Sequence, residues 1–323
     1  MLSSDDVRAA YRLILGREPE NDSVVLAHAE QVETLEDLRK KFFDSPEFRP
    51  PVSRAQPVRP LNWPPMDIEL DATPEQLQAM RNHIEENWQR LGISDPHWSV
   101  VTHDQFRASN IDQNMELFYE SGRNFVFGQF SATIQRCGIG LSDLMFDDKI
   151  CFELGCGVGR CTVWLSQIFK RILAADISAS HLELARENAN RFRRDNIYFA
   201  HLDSFSTLGE KLPAFDVFVS VIVLQHNPPP LIDWLLRTIL RNLRPGGIAY
   251  FQVPTYRINY SFKIKDYLHH TLPIGEIEMH VLPQHHVFQI LHQNGCRALE
   301  CREDGWTGIG DMISNSIVAV KDS

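Results

Sequence analysis

The chain has 323 residues, 43% of them hydrophobic and 23% charged, with a mean hydropathy of −0.24. That excludes a mostly disordered or collagen-like protein and suggests about two domains at roughly 150 residues each, with room for a sizeable core. Thirty-two basic against 42 acidic residues leave a net charge of −10, which disfavours nucleic acid as a partner because its binders carry a basic footprint.

The first residues, MLSSDDVRAAYRLI, lack the basic region and apolar core of a secretory signal. Ser3 or Ser4 is placed to cap a helix with Val7, Ala10, Tyr11, Ile14 and Leu15 on one face, stopped by Gly16 and Pro19. A second helix is expected over about 24–32. A third starts at Thr34, where Asp37 completes a capping box ahead of Leu35, Leu38, Phe42 and Phe43. Residues 1–49 are thus read as a small helical domain. The runs AYRLILGREPE and LEDLRKKFFDSPEF resemble a short helical domain of unknown function attached to several bacterial carbohydrate-related enzymes, a resemblance that implies no chemistry.

Six prolines between Pro50 and Pro65 exclude helix and central strand, so residues 50–72 are read as a partly extended linker. The third expected unit, 73–323, opens with a helical extension. Leu77, Met80, Ile84 and Trp88 share one face of a helix over 73–91, and one or two more helices are expected within 111–138. Strands are then expected at 149–154, 171–176, 196–201, 215–224 and 247–253, with a last pair near 296–301 and 313–320. Helices are expected at 159–169, 179–192, 231–242 and 284–294. Near-continuous apolar strands such as Val217 to Leu224 are the pattern of a parallel sheet covered on both faces. The fold class is therefore α/β, a doubly wound, mostly parallel sheet of seven strands with a small helical unit before it. No stretch approaches the roughly 18 apolar residues of a membrane span. The six cysteines are too few for a disulfide framework in a chain of this size and are read as reduced structural thiols. Together these features read as cytoplasmic.

After the first strong strand comes Phe152-Glu153-Leu154-Gly155-Cys156-Gly157-Val158-Gly159-Arg160. Glycines here let the backbone turn tightly and approach a ligand, and a helix starting near Gly159 would aim its N–H groups at it. A dinucleotide loop reads G-x-G-x-x-G, but here the third glycine comes one residue early. With Glu153 two positions before the first glycine, the segment resembles motif I of class I S-adenosylmethionine (SAM)-dependent methyltransferases. Three more features stand where that family has them. Asp176, followed by Ile177, ends the second strand and is placed to accept the ribose hydroxyls. His201-Leu202-Asp203-Ser204 ends the third, where the family has an acid for the adenine amino group and a backbone N–H for a ring nitrogen. Leu243-Arg244-Pro245-Gly246-Gly247 is the turn before strand five. The resemblance covers about residues 115–323.

It implies SAM as cofactor, contacted by Glu153, Gly155, Cys156, Gly157, Gly159, Asp176, Ile177, Asp203 and Ser204. Tyr119 and Gly122, ahead of the sheet, are expected at the methionine end of SAM. Each has a plainer reading: Asp176 as a helix cap, Asp203 as a solvated turn residue, Tyr119 and Gly122 as a packed helix end. Glu153 is costly to bury without a partner, and an ammonium group would supply one. The run Gln225-His226-Asn227-Pro228-Pro229-Pro230 departs from the N-P-P-aromatic signature of amino-group methyltransferases. It fits instead the small-molecule type, with His226 at the strand's mouth as a candidate base or as an orienting histidine. The segment 254–287 is long enough to shape an acceptor site; His280 within it is the second candidate base, and Glu278, His269, His270, His285 and His286 lie nearby. Proline at 283 breaks the spacing between His280 and His285, so no metal is expected.

The reaction implied is transfer of a methyl group to an oxygen or nitrogen of a small acceptor, sugar-containing molecules among them. No membrane or nucleic-acid partner is expected. An NAD-dependent oxidoreductase and a non-catalytic binding module are the alternatives.

Overall fold

A computed structural model describes residues 2–15, 17–32, 34–43, 63–139, 146–269 and 276–322. Gly16, His270 and most of the proline-rich segment lie outside them. The chain divides into two compact units, Met1–Trp63 and Pro64–Ser323.

In the first unit, Ser3 caps α1 (Ser4–Ala10) through a capping box with Asp6, and the helix runs on as a π-turn over Tyr11–Leu15. Asn21 caps α2 (Asp22–Gln31). Thr34 and Asp37 bond to each other at the start of α3 (Leu35–Phe43). Val7, Ala10, Tyr11, Val25, Leu38 and Phe42 form the small core that these amphipathic faces enclose.

The second unit begins earlier than its composition suggests. Residues 64–72, expected as the tail of a linker, include β1 (Asp67–Ile68), which pairs in parallel with β7 (Ser261–Phe262). Then come α4 (Pro74–Ser94), capped by Thr73 and Gln76, α5 (Pro96–Val100), α6 (Ile111–Arg123) and α7 (Ser131–Arg136). The alternating part follows. It comprises β2 (Phe146–Leu154), α8 (Thr162–Leu165), β3 (Phe169–Asp176), α9 (Ala179–Arg191), β4 (Ile197–His201), α10 (Phe205–Gly209), β5 (Phe215–Ser220), α11 (Pro229–Asn242) and β6 (Leu243–Arg257). After β7 come α12 (Ile264–His269), α13 (Gln284–Gln293), β8 (Cys296–Glu303) and β9 (Met312–Lys321).

The seven-stranded sheet has the order β4-β3-β2-β5-β6-β9-β8. Its first five strands are parallel; β9 is antiparallel to both β6 and β8. Apolar residues fill both faces: Phe152, Phe218 and Phe251 on one, Cys151, Val217 and Tyr250 on the other. No helix among the described residues is long and apolar enough to cross a membrane.

Two expected elements are shorter than their apolar runs. The helix over 159–169 is helical only at Thr162–Leu165, because Phe169 already pairs in the sheet. The strand over 215–224 stops at Ser220, because Ile222 takes φ 58°. The strand order reverses between the parallel neighbours β2 and β5, so the loops leaving them diverge and open a crevice at the carboxyl end of the sheet.

Candidate functional site

The loop after β2 is built around that crevice. Gly155 N–H and Cys156 N–H both donate to Ala175 O, at 2.7 and 3.1 Å, which bends the chain sharply off the strand. Gly155 sits at φ 73° with Val223 where a Cβ would be, and a Cβ on Gly157 (φ 52°) would lie 2.6 Å from Val100. Only glycine tolerates both the backbone and the crowding. Gly159 turns away from the crevice toward Ala185 of α9.

Asp176 closes the loop from the next strand. Its carboxylate accepts from Gly157 N–H at 2.8 Å and Ser178 N–H at 2.9 Å, and it is 8% exposed. It does not cap α9; the Ser178 hydroxyl does, accepting from His181 N–H.

Glu153, Leu154, Gly155, Cys156, Gly157, Asp176, Ile177, Leu202, Ser204, Phe205 and Leu208 line one continuous cleft. Glu153 is 5% exposed, and its Oε2 has no hydrogen-bond partner. Burial pushes its carboxyl up to about 7; the Thr162 hydroxyl and the Arg160 guanidinium pull the other way, and Asp176 adds to the rise. Arg160, also in the wall, donates to Ser121 Oγ at 3.2 Å, while its Nε is buried without a partner. A buried carboxylate with an unpartnered oxygen beside a cleft is high in energy until a cation or a proton reaches it.

Besides Gly159, three expected contacts lie elsewhere. Tyr119 and Gly122 do not line the cleft. The Tyr119 hydroxyl donates to Val158 O at 3.3 Å, and Gly122 has no room for a Cβ because Arg160 O packs there. Together they hold the glycine loop from behind. The exposed Asp203 carboxylate turns outward to accept from Thr207 Oγ1 (2.7 Å) and Ser204 Oγ (3.1 Å), bonds that hold it below the usual range. Its neighbours Leu202 and Ser204 face the cleft in its place.

The two candidate bases separate. His226 borders the cleft and is 6% exposed, with Trp88 at 5.2 Å between ring centroids. Burial pushes it down to about 4, so it is neutral. His280 lies outside the lining. Its peptide N–H donates to Gln225 O at 2.7 Å, which turns the ring toward Glu278 Oε2 (2.6 Å) and the Tyr260 hydroxyl (2.7 Å). Glu278 also accepts from the Tyr267 hydroxyl, at 3.2 Å, and meets His83 at 3.2 Å. His280 is therefore part of a clasp between α4 and the segment after α12.

Sequence patterns gave no sign of the opposite wall. Arg81, Ile84 and Trp88 of α4, with Ser99 and Val100 of α5, complete the cleft. Arg81 is buried, donating to Leu202 O and to Glu85 at 3.0 Å. Gln89 Oε1 of α4 accepts from Ser180 N–H at 3.4 Å, and Ser99 Oγ meets His181 Nε2 at 2.8 Å. Helical spacing had marked Ile84 and Trp88 as an apolar face, which core packing would satisfy equally well.

Residues 152–247 match the family model described as a methyltransferase domain. Among curated relatives, a carboxy-S-adenosyl-L-methionine synthase from Campylobacter jejuni is 29% identical over 122 residues, 37% of this chain and 50% of that one. A tRNA/tmRNA (uracil-C(5))-methyltransferase from Campylobacter lari is 36% identical over 107 residues, 31% of each. The chain thus spans about half the length of the first curated relatives it matches. Among solved structures, magnesium protoporphyrin IX methyltransferase from Synechocystis, with bound SAH, aligns with a TM-score of 0.52 at 15% identity. The alignment covers 75% of this chain and all of that one, and it is a likeness of fold.

Proposed function

Since the chain carries a class I SAM-dependent methyltransferase domain, we propose that it moves a methyl group from SAM to an oxygen or nitrogen of a small acceptor, sugar-containing molecules among them. The observation that carries this reading is Glu153, whose buried, unpartnered Oε2 stands in the same cleft as Asp176 and the glycine loop.

The donor set fits SAM. Glu153 would take the ammonium group and Asp176 the ribose hydroxyls. Ile177, Leu202, Phe205 and Leu208 offer an apolar slot for the adenine, with the Ser204 backbone at its edge. When bound, SAM supplies a methyl group already activated on a sulfonium sulfur. The chain's task is then chiefly alignment and exclusion of water. Trp88, Val100 and Val223 narrow the space beside the glycine loop, and this cover from α4 and α5 favours a small acceptor over a macromolecular one. Where the acceptor must lose a proton, His226 is the candidate that borders the cleft; His280 does not reach it. Calorimetric titration tests the reading: micromolar binding of SAM and no binding of NAD is expected, and the reverse would overturn it.

A further inference from the structure

A chain of buried side-chain hydrogen bonds runs behind the cleft and ends on His226. Gln252, in the middle of β6, is fully buried. Its Oε1 accepts from Ile222 N–H at 2.9 Å. Its Nε2 lies 2.9 Å from Gln225 Oε1 and 2.6 Å from Ser314 Oγ. Gln225 Nε2 is 3.1 Å from His226 Nε2, and His226 Nδ1 is 2.7 Å from Glu278 O.

The direction of every hydrogen in this chain follows from its ends. Amide orientation and imidazole tautomer are ordinarily matters of assignment, but a backbone N–H only donates and a backbone carbonyl only accepts. Ile222 N–H therefore requires the oxygen of Gln252, which leaves the Gln252 amide group to donate to Gln225 Oε1. The Gln225 amide group must then face His226 Nε2, which has to accept. At the other end the Glu278 carbonyl requires a proton on His226 Nδ1. The two demands agree on one tautomer.

Resting on the methyl-transfer reading above, we propose that Gln252 and Gln225 are positioning residues that fix His226 as the Nδ1–H tautomer. Held at both nitrogens, His226 presents a fixed, neutral ring to the cleft beside Trp88. The same bond from Gln252 holds Ile222 at φ 58°, a backbone that β-branched residues adopt only where their surroundings impose it. The loop 221–226 is thus shaped from behind, by a strand that does not itself face the cleft.

Nitrogen-15 spectra of the imidazoles, on the full chain without cofactor at pH 7, test the assignment. The His226 signals are identified by their loss in His226→Gln. In the wild type Nδ1 should carry the proton and Nε2 should be bare. Gln252→Glu keeps an acceptor for Ile222 and, once ionised, has no hydrogen for Gln225, so its spectra are taken at about pH 9, above the raised range of a buried carboxyl. The Gln225 amide should turn over and present its oxygen to Nε2, so that the ring proton appears on Nε2. Gln225→Glu, whose ionised carboxylate only accepts, should likewise put the proton on Nε2 at the same pH if the first variant fails to fold. A wild type with its proton on Nε2, or a folded variant whose Nε2 stays bare, would overturn the proposal. Calorimetry with SAM on the same wild-type sample judges the function separately. Absence of SAM binding would sink the methyl-transfer reading while the tautomer result stood or fell by itself.

Discussion

The proposed contact of Glu153 with the ammonium group makes SAM binding and proton release one event. Its carboxyl is held near 7 by burial, with Oε2 unpartnered. An ammonium group reaching that oxygen favours the ionised form and lowers the pKa, so binding must expel the proton carried by the free protein. With a free-state pKa of about 7, Glu153 should give up about half an equivalent of protons at pH 7, and the ligand's ammonium takes back about 0.1–0.2, for a net release of about 0.3–0.4. The ionised fraction rises about eightfold between pH 6 and 7.5; partial loss of the ligand's own ammonium proton, with a pKa of about 7.7–8.0, trims the gain to about fivefold. Calorimetry in two buffers of different ionisation enthalpy counts the protons, and titrations at the two pH values give the affinity ratio. Glu153→Gln should abolish both effects. In the free protein the same shift has the opposite sign for stability. A carboxyl whose folded pKa is raised from 4.5 toward 7 loses stability as pH rises through that window, by up to about 3 kcal/mol. Glu153→Gln should therefore raise the melting temperature at pH 8 while weakening SAM. Affinity independent of pH with no proton released would mean that Glu153 does not meet the ammonium.

Asp176→Ala should weaken SAM by about 1.5–3 kcal/mol in calorimetry, the range for hydrogen bonds to a charged group. It also frees Gly157 N–H and Ser178 N–H, so Asp176→Asn, which keeps one acceptor, should fall between it and the wild type. Removing residues 1–62 should leave a single cooperative thermal transition and unchanged SAM affinity, because the second compact unit starts at Pro64; an insoluble product would place the N-terminal helices in the catalytic fold. His226→Ala should lower turnover by about 10²–10⁴-fold if it is the base. With His226 pushed down to about 4, the rate should not rise through 6.5 as it would for an exposed histidine. A step at pH 6.5 that vanishes in this variant would contradict its burial.

The sheet was legible because buried parallel strands leave an apolar signature that composition and turn residues frame. The glycine loop and the acid ending β3 were legible because a tight turn and a strand terminus each demand particular residue types. What escaped was decided by hydrogen bonds between distant residues. Nothing near Ile222 in sequence says that its amide will find Gln252, yet that bond ends β5 four residues before its apolar run does. Asp203 was expected to face the cleft as the acid ending its strand. Thr207, four residues on, turns the carboxylate outward instead, a local competition open to any Asp ahead of a short helix. Tyr119 and Gly122 were placed correctly along the chain but on the wrong side of the loop, since sequence gives order and not facing.

The division of the cleft between segments bears on how one fold serves different acceptors. The part matched by the methyltransferase family model, 152–247, holds Glu153, the glycine loop, Asp176 and Ser204, the cleft residues proposed to meet SAM. The opposite wall comes from α4 and α5, before that part, and the carbonyl fixing His226 comes from Glu278, after it. Trp88 lies against His226, and Arg81 reaches Leu202 O across the cleft, so the outer segments touch the very residues where cofactor and acceptor would meet. Selectivity built this way sits on stretches of chain separate from the glycine loop, yet changes at Arg81 or Val100 would also be felt at Leu202 and Gly157. The clasp of His83, Glu278, His280 and Tyr260 joins the two outer segments to each other, so that the wall opposite the glycine loop is held as one piece.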